Sequence, residues 1–393
     1  MILVNNPGSW SHIYSPFEHA PWNGLTPTDL VFPFFLFAVG NALAFVMPRY
    51  YEKGPKAFWI KVLKRSILIY AIGLFLTWWP FAQFINNHLE FRTWTWMGDD
   101  GVIHGVRVMG VLARIAVCYF FASIIIYYLK PKGAFLAGLI ILLVYWMLCI
   151  LGNPVDPYSL TGWFGRTVDI NVFGEPHVYH GELLNGKPFP FDPEGLMSTL
   201  PAIVQVIFGF LVGDFIRKRG AHLQHVEDKP AVKGFEIYQT LTILFLAATS
   251  LLLTSYIWSL SFPINKKIWT SSFVVCTTGI ALLILSSMIY AIEIKQYRGW
   301  ITRFFDVFGK NALFIFALSA FLPKLLALLR WQDHTDANGK PIYVDPWHWW
   351  YQKVCIYIPG APENGSLLFA ISVVFVFWLI CYWLDKKRIY IKV

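Results

Sequence analysis

Long apolar runs recur from one end of the chain to the other, and they constrain its fold more than any other feature. An α-helix of about 20 apolar residues crosses the hydrocarbon core of a bilayer and satisfies its own backbone hydrogen bonds there. Of the 393 residues, 56% are hydrophobic and 14% are charged, which is typical of a polytopic membrane protein. We therefore predict an all-α, polytopic transmembrane helix bundle with nine complete spans. The predicted spans are 29–47, 62–80, 108–128, 134–152, 198–216, 236–256, 270–292, 308–328 and 366–384.

The apolar start of the chain, Met1 to Val4, is too short to cross a bilayer. It looks like the end of a truncated first helix. A signal peptide is not favoured, because this end has neither a basic stretch nor a long apolar run. We predict a single transmembrane domain over residues 1–393.

Basic residues concentrate in every second connection between the predicted spans. Such connections normally face the cytoplasm, so the C-terminus is predicted to be cytoplasmic and, in a bacterial host, the protein to lie in the inner membrane. The formal net charge of +9 then reflects topology and contact with membrane lipids rather than nucleic-acid binding. The predicted extracytoplasmic loops are 6–28, 81–107, 153–197, 257–269 and 329–365.

Cysteine and histidine spacing gives no indication of a metal site. The five cysteines form no CxxC pair, and the histidines show neither HxxxH nor HExxH spacing. The GxSxG nucleophile motif and glycine-rich phosphate loops are also absent from the sequence. Candidate functional residues are therefore the ionisable side chains within or beside the spans, where charge is costly to keep.

The stretch SPFEHAPWNGLTPTDLVFPFF, residues 15–35, places His19 in a polar loop ahead of a span that begins at Asp29. Thr26 and Asp29 have the spacing of a variant capping box, in which the carboxylate accepts the Thr26 backbone N–H. Alternatively, Asp29 accepts a hydrogen bond from His19, fixing its tautomer and raising its basicity. A carboxylate has two oxygens, so both roles are compatible.

Two arginines, Arg107 and Arg114, are seven residues apart and therefore share one helix face. Arg114 lies inside an apolar run and needs an anion there, either a ligand phosphate or a buried carboxylate such as Asp29. A purely structural ion pair between helices is the alternative.

Charged residues also flank two later spans. Asp192 and Glu194 precede the span from 198, where they either favour the helix N-terminus or bind a polar substrate. Lys266 and Lys267 lie in a predicted outer loop, against the positive-inside pattern, and either have a partner or snorkel to lipid headgroups.

The segment HAPWNGLTPTDLVFPFFLF, from His19, closely resembles the signature of the heparan-alpha-glucosaminide N-acetyltransferase family, a family of transmembrane acetyltransferases. Further matches follow in order in RVMGVLARIAVCYF, FDPEGLMSTLPAIVQVIFGFLVG, INKKIWTSSFV and GKNALFIF. The resemblance implies acetyl transfer from cytoplasmic acetyl-CoA to the amine of a terminal glucosamine across the membrane. The family's Ser-Leu-Asp-x-x-Arg-Gly stretch is absent here.

Carried over by position, the resemblance implies that His19 is the catalytic histidine, Asp29 its acid, and Asn5, or else Asn6, the asparagine of the first helix. His19 would remove the amine proton, Asp29 would hold the imidazole, and Asn5 would donate to the thioester oxygen. An acetyl-histidine intermediate is the competing mechanism.

Donor and acceptor sites follow from the same topology. Lys61, Lys64 and Arg65 are candidates for the phosphates of acetyl-CoA at the cytoplasmic mouth, with Arg107 and Arg114 nearer the reactive end. The predicted acceptor is an amino sugar or oligosaccharide, and a homodimer through an apolar helix face is compatible with the composition. Candidate acceptor-binding residues are Trp22, Asp192, Glu194 and Lys267.

A function of another class, secondary transport of amino sugars, is the alternative interpretation. His19, Asp29 and Arg114 would then form a proton-coupled relay. The absence of a visible internal repeat does not favour it.

Overall fold

The computed structural model describes residues 1–85, 88–98, 102–224, 230–335, 339 and 341–391, with side chains described outside 222–235. In this part of the chain, six helices are long and apolar enough to cross a membrane, or seven if a bent pair forms one span. The helices are α1 (Ile2–Asn5), α2 (Val31–Trp78), α3 (Val111–Gly152), α4 (Gly165–Phe173), α5 (Leu196–Gln224), α6 (Pro230–Ser259), α7 (Ser271–Ile289), α8 (Trp300–Lys310), α9 (Ala312–Leu326), α10 (Pro346–Lys353) and α11 (Pro362–Lys386).

The two longest helices, α2 and α3, each contain one residue with non-helical backbone. Gly54 has φ 78° in α2 and Lys130 has φ 60° in α3, and a proline follows each of them. Positive φ and proline both interrupt the helical hydrogen-bond ladder. Both breaks fall in connections that the basic residues predict. The helical bundle agrees with the predicted fold class, and the count of nine spans stays a prediction.

The predicted span 308–328 differs from the structure, because the helix is interrupted at Asn311. Helices α8 and α9 meet there at 77°. The Asn311 amide donates to Ile389 O over 3.2 Å, and its oxygen accepts Ile391 N–H over 2.8 Å. Asn311 thus holds the chain beyond α11 instead of continuing the helix, and the apolar helix begins at Ala312.

Among the described residues, four short antiparallel hairpins lie in the predicted outer loops, and the all-α prediction did not include them. The hairpin in 153–197 turns at Asn185 and Gly186, whose φ values of 53° and 77° suit the two-residue turn that an Asn-Gly pair favours. The paired strands are β1 (Ala82–Ile85) with β2 (His88–Phe91), β3 (Thr95–Met97) with β4 (Ile103–Gly105), β5 (Glu182–Leu184) with β6 (Lys187–Phe189), and β7 (Trp331–Thr335) with β8 (Pro341–Val344).

The main core lies between α2, α3, α5 and α7. Helices α2 and α5 approach so closely that an ideal Cβ on Gly40 would lie 1.9 Å from Val206 O, and one on Gly209 would lie 2.0 Å from Phe37 O. A second apolar cluster, centred on Val373 and Phe377, joins α8, α9 and α11 at the side of this bundle. The first half of α2 therefore packs backbone against backbone on α5.

Candidate active site

The His19 side chain is hydrogen-bonded to a buried carboxylate. His19 Nδ1 lies 2.6 Å from Asp29 Oδ1, and the Asp29 side chain is 1% exposed whereas that of His19 is 46% exposed. The carboxylate selects the tautomer in which Nδ1 carries the proton. The other nitrogen, Nε2, can then accept a proton from a substrate.

The second oxygen of Asp29 holds the loop that carries His19. Asp29 Oδ2 accepts the backbone N–H groups of Thr26 and Ala20 over 3.0 Å and 3.1 Å. A short 3₁₀ turn, Pro27–Leu30, leads from this cap into α2. The predicted cap and the predicted His19 pair are therefore both present, one on each carboxylate oxygen.

A second loop, residues 263–270, closes over the first. Gly24 N–H donates to Ile264 O over 2.8 Å, and the Asn265 amide donates to Asn23 Oδ1 over 3.0 Å. Thr270 then caps α7 by accepting Phe273 N–H. Between these ties, Trp269 has a left-handed φ of 52°, a conformation that costs free energy for a bulky residue and is often found at functional sites. The ties bring Lys266 to the His19–Asp29 pair.

The Lys266 ammonium lies against both members of that pair. Its Nζ is 3.0 Å from His19 Nδ1, 3.4 Å from His19 Nε2 and 3.4 Å from Asp29 Oδ1. Burial lowers the pKa of Lys266 below its ordinary value, although the carboxylates of Asp29 and Glu194 act in the opposite direction. The sequence marked Lys266 as a misplaced charge but did not assign it to the site.

Arg107 is held by two carboxylates on the turn before α5. Its Nε donates to Asp192 Oδ2 over 2.9 Å, and its Nη2 contacts both Asp192 and Glu194. Burial opposes the charge on Arg107, but the two carboxylates outweigh it and raise the pKa of Arg107. Arg107 in turn holds Asp192 and Glu194 beside the site. Arg107 precedes α3, which begins at Val111, so the predicted shared helix face with Arg114 is wrong and Arg107 binds these acids instead.

Arg114 is fully buried and binds the same turn from inside the bundle. Its Nη2 donates to Pro193 O over 2.7 Å and to Gly195 O over 3.3 Å, and it contacts the Ser198 hydroxyl. Its guanidinium also lies 5.0 Å from the centre of the Trp269 ring. Among the described residues no ion pair joins Arg114 to Asp29, so the relay predicted for a transporter is not continuous here.

Lys267 and Trp22 lie together on the loop side of the site. Lys267 Nζ is paired with Glu182 Oε2 at 2.6 Å and lies 5.8 Å from the centre of the Trp22 ring. The Trp22 indole N–H donates to Tyr158 O over 2.8 Å. Glu182, on β5, was not among the predicted residues, because its partner is distant in sequence.

These groups surround a cavity of about 250 Å³ with charged side chains on its wall. A neighbouring cavity of about 120 Å³ is lined by Asn5 together with His19, Glu194 and Lys266. Residues from four of the five predicted outer loops meet here, so those loops share one end of the bundle. The larger cavity is lined by His19, Ala20, Asp29, Arg107, Val111, Tyr179, Glu182, Pro193, Glu194, Lys266, Lys267 and Trp269.

The three basic residues predicted at the cytoplasmic mouth lie away from this cavity. Lys61 and Lys64 are exposed, and the Arg65 guanidinium lies 5.0 Å from the centre of the Tyr119 ring between α2 and α3. Arg65 Nε and the neighbouring Ser66 and Ser123 hydroxyls are buried without a hydrogen-bond partner among the described residues. Such groups are costly to bury unless a polar molecule satisfies them.

The fold and the site define a class: an integral membrane protein of helical type, with a histidine–carboxylate pair at a cavity among its loops. No family model matches the chain. It is similar to two curated proteins, the heparan-alpha-glucosaminide N-acetyltransferases of Homo sapiens, 25% identical over 360 residues, and Mus musculus, 24% identical over 384 residues. Both relatives carry the name of the family whose signature the segment from His19 resembles.

The similarity extends along most of this chain but not of its relatives. It covers 80% of the chain and 50% of the human protein, and 86% of the chain and 54% of the mouse protein. The chain therefore spans about half the length of the curated relatives it matches.

Proposed function

We propose that the chain is a membrane-embedded acyltransferase that moves an acetyl group from cytoplasmic acetyl-CoA to the amine of a glucosamine-type sugar at the extracytoplasmic side. The observation that carries this proposal is the His19–Asp29 pair, in which Nδ1 is hydrogen-bonded to a buried carboxylate and the His19 side chain is 46% exposed. This arrangement suits a general base. The names of the two relatives supply the reaction class.

Acetyl transfer from a thioester to an amine requires of the protein mainly a base, orientation of the reactants and stabilisation of the developing charge. His19 Nε2 accepts the proton of the attacking amine as the new C–N bond forms. The same proton then passes to the sulfur of CoA as the C–S bond breaks, which returns His19 to its neutral form. Asn5, on the wall of the smaller cavity, would donate to the acetyl oxygen as it becomes negative.

The seam between α2 and α3 supports a site for the arm of acetyl-CoA. The buried polar atoms of Arg65, Ser66 and Ser123 fit the amide groups of a pantetheine arm, and Lys61 and Lys64 remain exposed for its phosphates. Acetyl-CoA would supply the activated thioester, and the chain would supply the base.

The acids of the larger cavity support an amino-sugar acceptor. Glu182 and Glu194 can bind an ammonium group or sugar hydroxyls, and Lys267 and Tyr179 complete the polar wall. A volume of about 250 Å³ accommodates one sugar ring, so a longer glycan would extend outward through the loops.

The proposal is tested with purified protein, labelled acetyl-CoA and glucosamine. We expect N-acetylglucosamine to form, and His19→Ala to lower the rate by about 10²–10⁴-fold, the usual contribution of a general base. His12→Ala is the matched control, because His12 lies in the same predicted loop and its ring is hydrogen-bonded to Ser9 and Ser11 rather than to a carboxylate.

Two results would contradict the proposal. Product formation by His19→Ala at the wild-type rate would remove His19 from the chemistry. Sugar uptake into proteoliposomes without any acetylated product would instead favour a transporter.

A further inference from the structure

The position of Lys266 relative to the His19 ring is the starting point. Nζ lies 3.0 Å from Nδ1 and 3.4 Å from Nε2, so it is nearly equidistant from the two ring nitrogens. A donor in line with either lone pair would lie far from the other nitrogen. The ammonium therefore lies over the face of the imidazole, and it leaves the in-plane lone pair of Nε2 available to a substrate.

The charges that face Lys266 come from every loop around the cavity. Asp29 Oδ1 lies 3.4 Å from its Nζ, and Glu194 attracts it from the turn before α5, whereas Lys267 and Arg107 are cations on the same cavity wall. Arg107 and Lys267 are each paired with their own carboxylates. Lys266 is thus the cation directly against His19.

We propose that Lys266 is a positioning residue that keeps the His19 imidazole neutral, and therefore able to accept a proton, by opposing the pull of Asp29. A carboxylate hydrogen-bonded to histidine favours the imidazolium, which is not a base. An ammonium at van der Waals distance from the ring disfavours the same imidazolium. The two charges together allow Asp29 to orient the ring without protonating it before the substrate arrives.

The inference rests on the proposed function for its role in turnover. When His19 takes the amine proton, the imidazolium forms against Lys266 and is disfavoured there. This repulsion drives the proton onward to the sulfur of CoA, so that His19 does not remain protonated after the C–S bond breaks.

Loss of the ammonium has a measurable signature in the pH dependence. We expect Lys266→Met and Lys266→Gln to move the acid limb of the kcat/KM profile for acetyl transfer upward by about one to two pH units, the usual effect of removing one nearby charge. At a pH on the acid limb, kcat/KM of these variants should therefore be about tenfold or more lower than that of the wild type, and it should recover at higher pH. Lys266→Arg keeps the charge and should keep the limb in place.

A second readout does not depend on acetyl transfer. Diethylpyrocarbonate carbethoxylates neutral imidazole, and His19 is exposed enough to react. Mass spectrometry of the peptide that contains His19 gives the pH midpoint of this reaction. The midpoint should rise in Lys266→Met and Lys266→Gln, and Lys267→Met is the matched control, because its ammonium is held by Glu182.

The two proposals fail in distinguishable ways. An unchanged His19 midpoint in folded Lys266→Met and Lys266→Gln would overturn the inference, whatever the activity of the protein. A shifted midpoint in a protein without acetyl transfer would sustain the electrostatic role of Lys266 and overturn the proposed reaction. Activity lost equally at every pH would reduce Lys266 to a structural residue and overturn the inference as well.

Discussion

At the scale of single residues, Asp29 divides its two oxygens between two tasks. Oδ1 accepts the hydrogen bond of His19, and Oδ2 accepts two backbone N–H groups that shape the loop. Because the tasks use different oxygens, a substitution that retains one oxygen can separate them. An asparagine has one acceptor oxygen and one amide nitrogen in the same planar group.

Asp29→Asn should preserve the fold and greatly reduce acetyl transfer. If the amide oxygen keeps the loop hydrogen bonds, the amide nitrogen faces His19 and forces the opposite tautomer, in which Nε2 carries the proton and cannot accept another. A comparable change of tautomer in a histidine–aspartate pair costs about 10⁴-fold in turnover. Steady-state kinetics and a thermal melt check this, and normal turnover with an unchanged melt would leave Asp29 with its capping role alone.

A second buried acid, Asp169, makes stability depend on pH. It lies on α4, accepts Leu196 N–H over 2.7 Å at the start of α5, and is 1% exposed. Burial raises the pKa of Asp169 to about 7; Asp192 adds to the shift, while Leu196 N–H and Arg114 act against it. The native state therefore holds this proton at pH values where the unfolded chain has released it.

We expect the contribution of Asp169 to the free energy of unfolding of the wild type to fall as pH rises from about 4 towards 7. The asparagine of Asp169→Asn carries no charge at any pH. The melting temperature of this variant, relative to that of the wild type, should therefore be higher at pH 8 than at pH 5. Thermal melts in detergent at both pH values measure the difference. If the melting temperatures of Asp169→Asn and the wild type differed by the same amount at pH 5 and pH 8, this role of Asp169 would be contradicted.

Sequence reasoning reached His19 and Asp29 because both lie within one short motif. It did not assign Lys266 or Glu182 to the site, because each is brought there by contact with a residue of another loop. Lys266 is 247 positions from His19, and Glu182 is 85 positions from Lys267. Pairings between distant loops depend on how the bundle folds, and a single sequence does not encode them as a local pattern.

At the scale of elements, the apolar runs located the helices, and the turns between them were harder to predict. The breaks at Gly54 and Lys130 fall where basic residues and proline mark a connection. The break at Asn311 follows Gly309 and Lys310, but its cause is a tertiary contact with residues 389–391 that no local pattern indicates. The Asn185-Gly186 turn carried a local hairpin signal, which the helical pattern of the chain obscured.

Close packing of α2 on α5 predicts that Gly209→Ala destabilises the bundle. A methyl group at this position would lie 2.0 Å from Phe37 O, and a carbonyl of a neighbouring helix cannot move without shifting that helix. We expect a loss of about 1–3 kcal/mol, the usual range for overpacking, and a lower melting temperature. Gly220→Ala is the control on the same helix, because nothing lies within 4 Å of its added Cβ. Equal melting temperatures for the two variants would contradict the tight seam.

At the scale of the whole molecule, the described helices form a main bundle and a side group. The side group, α8, α9, α10 and α11, has its own apolar cluster. It packs on the main bundle chiefly through α9 against α2. Regions with fewer buried contacts open at lower free energy than the rest.

Buried cysteines in both parts report on this difference. Cys355 and Cys381 lie in the side group, whereas Cys118 and Cys149 lie in the main bundle, and all are free thiols. During slow heating with a maleimide, we expect Cys355 and Cys381 to be labelled at a lower temperature than Cys118 and Cys149. Mass spectrometry of the labelled peptides measures the order, and simultaneous labelling of all four would mean that the molecule opens as one unit.

The glycine contacts between α2 and α5 also bear on how an acetyl group would pass from one face of the membrane to the other. Helices that touch backbone to backbone cannot slide or rock without collision. Since Asp29 lies in the 3₁₀ turn that leads into α2, the His19 pair is attached to a helix that packs backbone against backbone on α5. We therefore expect the helices and His19 to stay in place during acetyl transfer, while the flexible arm of the donor extends between the helices to reach His19.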